Sequence, residues 1–334
     1  MIDGIGCATF SELVARFGSA QRALDEAQGA DARGAGLAAA DAALADAARL
    51  GMTLLVAGDG RFPAELAELP DVPPVLWALG RLELLRPAAR VAIVGTRRST
   101  AYGERTTRAL AGAMSRAGAC VVSGMARGID SAAHRAALEA GGPTIAVLGT
   151  GVDIAYPAAN RALHAEIAER GLLLSEYPPG ERANGGSFPR RNRIIAALAQ
   201  LTVVVEAGVK SGALITSRYA QDLNRQVAGV PGCIDQPQAA GVNLLIRDGA
   251  QMLTGVEDAL ALMGLTRAVR SPELPSGSDE ELVWRALASG AVDTDALCVG
   301  TGLPADRCLA AVTRLEIEGA VECAMTGEVR RRIG

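Results

Sequence analysis

The feature that most constrains the fold is a series of short apolar runs, rich in β-branched residues, each followed by a stretch of helical character. The runs are VAIVG (91–95), CVVSG (120–124), TIAVLG (144–149), LLLSE (172–176), LTVVVE (201–206) and QVAGVPG (226–232). Strands that are apolar at every position are buried on both faces, which is typical of a parallel sheet covered by helices. The sequence therefore predicts a doubly wound α/β domain over residues 51–265.

The chain outside this domain divides into three further regions. Residues 1–50 are rich in alanine and predict a small helical module. The GIG at 4–6 is similar to the turn of a helix-hairpin-helix, for which DNA contact and a purely structural role are the alternatives. Residues 266–280 have the proline, glycine, serine and charge content of a linker. Residues 281–334 contain helix candidates and then a hairpin, which predicts a winged-helix domain.

Composition excludes several classes of protein. The formal net charge of −4 and the pI of 5.4 argue against a general basic field, so binding of nucleic acid would need a local basic cluster. The sequence has no run of 18 apolar residues and no signal-peptide pattern, so we expect a cytoplasmic protein without a membrane partner. The six cysteines form no CxxC pair, and we expect reduced thiols and no metal site.

The third helix candidate of the C-terminal domain gives a mixed charge pattern. Arg307 and Arg314 are accompanied there by Asp306, Glu316 and Glu318. A recognition helix that enters a DNA groove presents cations to phosphates. Contact with another protein, or a packing role, is therefore as well supported as contact with DNA.

Ligands of an open parallel sheet bind outside the carboxyl ends of its strands, so the segments that follow the apolar runs are candidates for a site. They are GTRRST (95–100), SGMARGID (123–130), GTGVD (149–153), SEYPPG (175–180) and EAGVKSG (206–212). Glycine, small hydroxyls and arginine suit a phosphate-bearing ligand bound by backbone N–H groups. Since a Walker-type loop and a complete dinucleotide fingerprint are both missing from the sequence, we expect no cofactor.

The segment SFPRRNRIIAAL (187–198) concentrates arginine just before IIAALA, where a helix is predicted to begin. Because helix N-termini already favour anions, Arg191, Asn192 and Arg193 indicate a polyanionic ligand. The alternative is that these arginines are solvated or paired with acidic neighbours. Phe188 offers a face on which a base could stack.

Catalytic groups are sparse. His134 and His164 lie in predicted helices, where packing or surface roles are commoner than catalysis, and no nucleophile motif accompanies them. Glu176 and Glu206 end predicted strands, and we expect them to hold nearby arginines through salt bridges. The residues therefore indicate no catalytic site.

Several long motifs, in order, closely resemble the bacterial DNA-processing protein A family (DprA, also called Smf). They are VAIVGTRRSTAYGE, VVSGMARGIDSAAHRAAL, TIAVLGTGVDIAYPAAN, LLLSEYPPG, FPRRNRIIAAL, EAGVKSGALITS and VPGCIDQPQAAGVNLLIRDGA. The resemblance extends upstream through RFPAELAELPDVPPVLWALGRLELL and more loosely to both ends. It implies a Rossmann-like domain at 51–265, a SAM-like helical module at 1–50 and a winged-helix domain at 281–334.

The resemblance also implies a function. Family members bind single-stranded DNA cooperatively, form dimers through the Rossmann-like domain and load the RecA recombinase onto incoming strands during natural transformation. They are not known as enzymes. The motif matches, together with the turn after CVVSG and the candidate aromatic residue, give the predicted DNA-binding set: Gly95, Thr96, Arg97, Arg98, Gly124, Arg127, Phe188, Arg191, Asn192, Arg193, Lys210, Ser211 and Gly212.

One alternative is an enzyme. The predicted architecture is similar to that of LOG-type nucleotide phosphoribohydrolases, which cleave a glycosidic bond with a glutamate in a PGGxGTxxE motif. The comparable loop here, AGVKSGALITS, contains no glutamate, so the acid or base for that reaction is missing.

Lys210 is the only lysine among the 33 basic residues of the chain. An arginine-biased genome could produce that ratio by drift. A compact, strongly hydrated ammonium group facing a phosphate is the other explanation, because a guanidinium is larger and planar. We expect the second, and Lys210→Arg to weaken DNA binding.

Overall fold

The computed structural model describes residues 7–27, 30–86, 88–265, 274–290, 292–317, 320–324 and 327–331. The chain forms two compact units, residues 1–265 and 266–334. The GIG at 4–6 and positions 266–273 of the predicted linker lie outside the described residues.

Three helices precede the sheet, and two strands then form its first edge. The helices are α1 (Cys7–Phe17), α2 (Ala20–Ala27) and α3 (Ala30–Arg49), and α3 is rich in alanine, the residue with the highest helix propensity. Strands β1 (Thr53–Val56) and β2 (Val75–Gly80) pair antiparallel with each other, and β2 pairs antiparallel with the rest of the sheet.

All six predicted strands are present, and a short ninth strand completes the sheet. The six are β3 (Arg90–Val94), β4 (Cys120–Ser123), β5 (Thr144–Val147), β6 (Leu172–Ser175), β7 (Leu201–Val204) and β8 (Gln226–Gly229), and the ninth is β9 (Gln251–Met252). The helices between and after them are α4 (Ala101–Arg116), α5 (Ile129–Glu139), α6 (Arg161–Arg170), α7 (Ser187–Leu198), α8 (Ala213–Asp222), α9 (Ala240–Arg247) and α10 (Val256–Leu262).

The strand order is β1-β2-β6-β5-β4-β3-β7-β8-β9, and strands β3 to β9 are parallel to their neighbours within that group. The chain runs outward from β3 through β4 and β5 to β6, then returns to the other side of β3 at β7. The order therefore reverses at β3, which makes the carboxyl ends of β3 and β7 the place where ligands bind in such sheets. The predicted Rossmann-like, doubly wound α/β fold is confirmed.

Strand β3 shows why its sequence has no polar alternation. Val91 and Ile93 pack into one hydrophobic cluster, whereas Ala92 and Val94 pack into another. Successive side chains of a strand point to opposite faces, so the two clusters are the cores on the two sides of the sheet. Helices cover both faces, as the continuous apolar run predicts.

The C-terminal unit is a winged-helix domain, as predicted. Its elements are α11 (Asp279–Ala286), β10 (Val292–Asp293), α12 (Thr294–Thr301), α13 (Ala305–Ile317), β11 (Val321–Cys323) and β12 (Glu328–Arg331), and the strands form one sheet in the order β10-β12-β11. Ser278 and Asp293 accept backbone hydrogen bonds at the starts of α11 and α12. The unit has its own core, which includes Val283, Leu297 and Leu315.

Among the described residues, no helix combines the length and apolar character needed to cross a membrane.

Candidate functional site

A cavity of about 630 Å³ lies at the carboxyl ends of β3 and β7, where the strand order reverses. Its walls come from the segments that follow these two strands and from the first turns of α5, α7 and α8. Nine residues of the predicted set line it: Gly95, Thr96, Arg97, Phe188, Arg191, Asn192, Lys210, Ser211 and Gly212. Four predicted residues, Arg98, Gly124, Arg127 and Arg193, lie outside this wall.

The turn after β3 is packed closely against its neighbours. A Cβ atom on Gly95 would lie 2.6 Å from Cγ1 of Ile129 and 2.8 Å from the carbonyl oxygen of Glu206. The backbone N–H of Thr96 donates to that same carbonyl at 2.6 Å. Only glycine permits this approach of backbone to backbone, and it brings the turn after β3 against the segment after β7.

Glu206 holds the start of α4 and forms no ion pair with an arginine among the described residues. Its buried carboxylate accepts hydrogen bonds from the Thr100 backbone N–H at 2.9 Å and from the Thr100 hydroxyl. The expected salt bridge from Glu206 is therefore wrong. The corresponding expectation for Glu176 is confirmed, since it binds Arg193.

Arg191 is a buried cation in the cavity wall. Its Nη1 donates to the carbonyl oxygens of Gly124 and Val147, the latter at 2.6 Å, and its Nε donates to Asn192 Oδ1 at 3.1 Å. Burial lowers the pKa of Arg191 to about 10, against the opposing charge of Asp130, so the side chain remains charged at neutral pH. A Cβ atom on Gly124 would overlap Nη1 of Arg191. Gly124 thus acts on the site by making room for this guanidinium.

Asp130 lines the cavity and is absent from the predicted set. Its Oδ2 accepts from the backbone N–H of Gly124 at 3.2 Å and of Ala126 at 3.4 Å. Burial raises the pKa of Asp130, although the charge of Arg191 acts to lower it. The N-cap of α5 is Gly128, and Asp130 lies in the first turn of the helix. Asp130 could have been included in the predicted set because it lies in the segment 123–130, which follows β4.

Arg193 is placed away from the cavity. Its side chain is fully buried, with both terminal nitrogens 2.6 Å from the Glu176 carboxylate and Nε 2.8 Å from Asp71 Oδ2. Burial alone would lower the pKa of Arg193, but the hydrogen bonds and charges of Glu176 and Asp71 outweigh it and raise the pKa. The structure therefore gives Arg193 the paired role that was the alternative for this cluster.

The start of α7 explains the difference between the two arginines. The helix begins at Ser187, whereas the sequence predicted a start after Arg193. Both arginines therefore lie inside the helix. Residues two apart on a helix do not share a face, so Arg191 and Arg193 have separate surroundings.

Arg97 and Lys210 are the exposed cations of the cavity. Arg97 Cζ lies 5.1 Å from the ring centroid of Phe188, within the range of a cation–π contact. Neither side chain has an ion pair among the described residues of the chain. Both can therefore bind an incoming anion without first leaving a carboxylate.

The first turn of α8 forms a further part of the cavity wall. Gly212 is the N-cap, and its carbonyl oxygen accepts from Asn192 Nδ2 at 3.1 Å, which joins this turn to α7. A Cβ atom on Gly212 would meet no other atom within 4 Å. The backbone N–H groups of the first turn already donate to Ser211 and Gly212, so this part of the wall offers a ligand open space in front of Gly212.

The two histidines have structural positions. The Thr144 hydroxyl donates to the Val121 carbonyl oxygen at 2.8 Å, so His134 Nδ1 must donate to Thr144 Oγ1, 2.7 Å away. Burial lowers the pKa of His134 to about 3. His164 Nε2 donates to the Val152 carbonyl oxygen at 2.8 Å. Neither ring borders the cavity. The described residues contain no group of three His, Cys, Asp or Glu side chains that could hold a metal ion.

Comparison with known proteins identifies the family. Residues 53–264 match the model of DNA recombination-mediator protein A, and residues 268–324 match that of the DprA winged helix domain. The chain belongs to the DNA recombination-mediator protein A (DprA) family. The match to the first model spans the whole nine-stranded sheet and the cavity described above.

Individual relatives agree with this assignment. A DprA relative from Mycobacterium tuberculosis is 44% identical over 261 residues, which are 75% of this chain and 67% of the relative. The solved structure of DprA from Streptococcus pneumoniae is 41% identical, with a TM-score of 0.61, and covers 63% of this chain and 74% of that one. DprA from Helicobacter pylori, which binds single-stranded DNA, is 32% identical, with a TM-score of 0.58, and covers 63% of this chain and 94% of that one.

Proposed function

We propose that this DprA-family protein binds single-stranded DNA in the cavity at the carboxyl ends of β3 and β7. The observation that carries the proposal is that two exposed cations, Arg97 and Lys210, line one cavity together with a buried third cation, Arg191. The chain as a whole is acidic. A local set of cations is therefore what can attract a phosphate backbone. Single-strand binding by the Helicobacter pylori relative supports the same assignment.

The geometry suggests a division of roles among the residues of the cavity. Arg97 and Lys210 neutralise phosphates, since they are exposed and without carboxylate partners among the described residues. Arg191 is fixed by carbonyl oxygens and contributes its charge from within the wall. Gly212 leaves open space in which the DNA can approach the backbone of α8, and Gly95 lets the turn after β3 pack against the segment after β7.

The predicted residues outside the cavity wall fall into three groups. Arg98 and Arg127 are exposed, and we assign them to phosphates that flank the cavity. Gly124 acts through Arg191 and makes no contact of its own with DNA. Arg193 is removed from the binding set because its donors are occupied by Glu176 and Asp71.

Binding is proposed to be the whole activity of the site, without catalysis. Asp130 is the carboxylate of the cavity wall, and it is fixed to the backbone N–H groups of the turn after β4. That arrangement orders a loop, and the described residues of the wall include no second carboxylate that could act as the acid or base on a glycosidic bond. Release of free base during incubation with AMP would contradict this part of the proposal.

The partners of the protein follow from the family resemblance. We assign it a homodimer through the Rossmann-like domain, protection of incoming single strands and loading of the RecA recombinase during natural transformation. Light scattering after gel filtration measures the dimer. RecA filament growth on strands coated with single-strand binding protein, with and without the chain, measures loading.

Fluorescence anisotropy with a labelled single strand tests the binding site. We expect Arg97→Ala and Lys210→Ala each to lower affinity and to reduce the salt dependence by about 0.7 in the slope of log K against log salt, the value for one lost phosphate contact. Arg116→Ala is the matched control. Arg116 is an exposed arginine in the last turn of α4, and that turn lies near the amino edge of the sheet. Equal affinity of the parent, Arg97→Ala, Lys210→Ala and Arg116→Ala would show that the cavity is not the binding site. Stronger binding to duplex than to single strands would contradict the proposed single-strand binding.

Lys210→Arg belongs in the same series. Lys210 is exposed, so the protein itself does not confine the side chain at this position. A preference for lysine must therefore come from the bound phosphate itself. We expect Lys210→Arg to bind more weakly than the parent and more tightly than Lys210→Ala.

A further inference from the structure

Tyr156 forms an aromatic extension of the cavity. Its ring centroid lies 5.3 Å from that of Phe188, with 30° between the ring planes, and Phe188 is part of the cavity wall. Tyr156 itself lies outside that wall and remains 46% exposed. A tyrosine that is nearly half exposed beside Phe188 presents free aromatic surface next to the cavity.

Phe188 has less free surface for the same purpose. Arg97 covers part of its ring, Tyr156 contacts it, and a Cβ atom on Gly149 would lie only 3.0 Å from its Cδ1. These three neighbours leave Phe188 half-buried. A planar ligand would therefore find more accessible ring at Tyr156 than at Phe188.

The loop that carries Tyr156 is held in place before any ligand arrives. Ser175 Oγ donates to the Thr150 carbonyl oxygen at 2.6 Å, Thr150 Oγ1 donates to the Ile154 carbonyl oxygen at 3.1 Å, and His164 Nε2 donates to the Val152 carbonyl oxygen. An ordered loop loses little conformational entropy on binding. A tyrosine side chain also has only two torsions to fix.

We propose that Tyr156 is the stacking platform for an unpaired nucleobase of the strand whose phosphates lie against Arg97. This inference rests on the proposed function, and it specifies the ligand as a base that is free of a partner. Stacking on an aromatic ring tolerates any base, because every base has a π face. Bases inside a duplex are already stacked on each other, so Tyr156 would favour single strands over duplex.

The test compares two probes of equal length, an oligothymidylate and an oligomer of abasic sites, with the full chain and fluorescence anisotropy. Tyr156→Ala should lower affinity for oligothymidylate roughly five- to 160-fold, the usual cost of removing one aromatic stacking partner. Its affinity for the abasic probe should stay within about twofold of the parent, because phosphate contacts remain. Tyr156→Phe keeps the ring and should bind oligothymidylate like the parent.

Tyr102→Ala is the matched control, because Tyr102 is similarly exposed at 44% and lies on α4 outside the cavity wall. We expect it to bind both probes like the parent. Parent-like affinity of Tyr156→Ala for oligothymidylate, or equal losses on the two probes, would overturn the inference and leave the proposed function standing. Absence of single-strand binding by the parent would overturn the proposed function, and the inference with it.

Discussion

Arg191 and Arg193 show how two identical side chains of one motif receive different roles. Arg191 donates to the carbonyl oxygens of Gly124 and Val147 and reaches the cavity, whereas Arg193 is enclosed by Glu176 and Asp71. A buried guanidinium without a carboxylate partner is costly unless its donors are satisfied. Carbonyl oxygens satisfy the Nη1 donor of Arg191, and Asp130 is the carboxylate whose charge acts on it. Burial raises the pKa of Asp130, which weakens that opposing charge, so Arg191 retains positive charge towards a ligand.

Arg193→Met should therefore change stability and leave binding intact. Removing Arg193 takes from the buried Glu176 carboxylate both of its 2.6 Å donors and leaves it Arg190, whose Nε lies 3.9 Å away. Breaking a buried ion pair costs about 3–5 kcal/mol in the free energy of unfolding, and we expect a loss up to that size. Urea unfolding measures that loss. Anisotropy under conditions where the variant is folded should give the affinity of the parent, whereas Arg191→Met should bind more weakly. A loss of affinity in Arg193→Met without destabilisation would contradict the assignment.

Gly124 and Gly212 offer a matched pair of substitutions at the cavity. In Gly124→Ala the new methyl group would overlap Arg191 Nη1, so the guanidinium must leave its carbonyl partners. We expect a loss of about 1–3 kcal/mol in unfolding free energy, as for other overpacked sites, together with weaker DNA binding. In Gly212→Ala the methyl group meets open space at an ordinary φ of −61°, and stability should stay near that of the parent. Thermal and urea unfolding compare the two, and a stable Gly124→Ala would refute the role given to Gly124.

His134 predicts a pH dependence of stability. Burial lowers its pKa to about 3 in the folded chain, against 6.5 for the free side chain, so the unfolded chain binds the proton more tightly. The stability contributed by neutral His134 is complete above pH 6.5 and is lost as pH falls towards 3, by up to about 1.4 kcal/mol per pH unit.

Substitution isolates this contribution. His134→Asn keeps a donor near the Thr144 hydroxyl and does not titrate, so its unfolding free energy should fall less than that of the parent between pH 7 and pH 5. Urea unfolding across that range gives the two slopes. Identical slopes would show that His134 is protonated with its ordinary pKa in the folded chain.

At the scale of elements, six strands could be predicted because a strand buried on both faces must be apolar at every position. The strands that the pattern did not indicate lie at the edges. β1 is only partly buried, and β9 is two residues long and exposed, so neither needs a continuous apolar run. β2 follows a proline-rich segment and pairs antiparallel, which the alternation of strand and helix does not predict.

The part of the site that could be predicted from the sequence consists of the residues that directly follow strands. Gly95 to Arg97 and Lys210 to Gly212 follow adjacent parallel strands, and the carboxyl ends of such strands meet at one edge of the sheet. The sequence predicted that α7 begins after Arg193, which would leave Arg191 and Arg193 together in the preceding loop. Because the helix begins at Ser187, the two side chains lie on different faces of it, and Arg193 lies away from the cavity. Tyr156 was missed because its role depends on contact with Phe188, which lies distant in sequence.

Helix α13 gives a prediction at the scale of an element. Arg307 binds Asp279 and Arg314 binds Glu280, so both arginines of the would-be recognition helix are paired with the first turn of α11. We expect the double variant Arg307→Ala, Arg314→Ala to keep the single-strand affinity of the parent, because neither cation is free to bind phosphate. Anisotropy measures this. A clear loss of affinity would show that the winged-helix unit contacts DNA.

At the scale of the whole molecule, the net charge of −4 repels a polyanion such as DNA. Binding of DNA by such a chain therefore requires a local group of cations that attracts the phosphates. The cations assigned to the strand lie at one edge of one sheet, in the unit formed by residues 1–265. Attraction of this kind involves few phosphates, so affinity should decline with salt less steeply than for proteins with a broad basic surface.

The separation into two units leads to a final prediction, for a chain truncated after Leu265. Each unit has its own hydrophobic core, so we expect residues 1–265 to fold without residues 266–334. Every residue of the cavity wall is retained, and the truncated chain should bind single strands within about twofold of the full chain. Arg97→Ala in the truncated chain should lower affinity by the same factor as in the full chain, because the two changes lie in separate units and independent effects are additive. Anisotropy on the full and truncated chains, each with and without Arg97→Ala, gives the four affinities that this comparison needs. A truncated chain that is folded by circular dichroism but binds weakly would place part of the DNA-binding surface in the C-terminal unit.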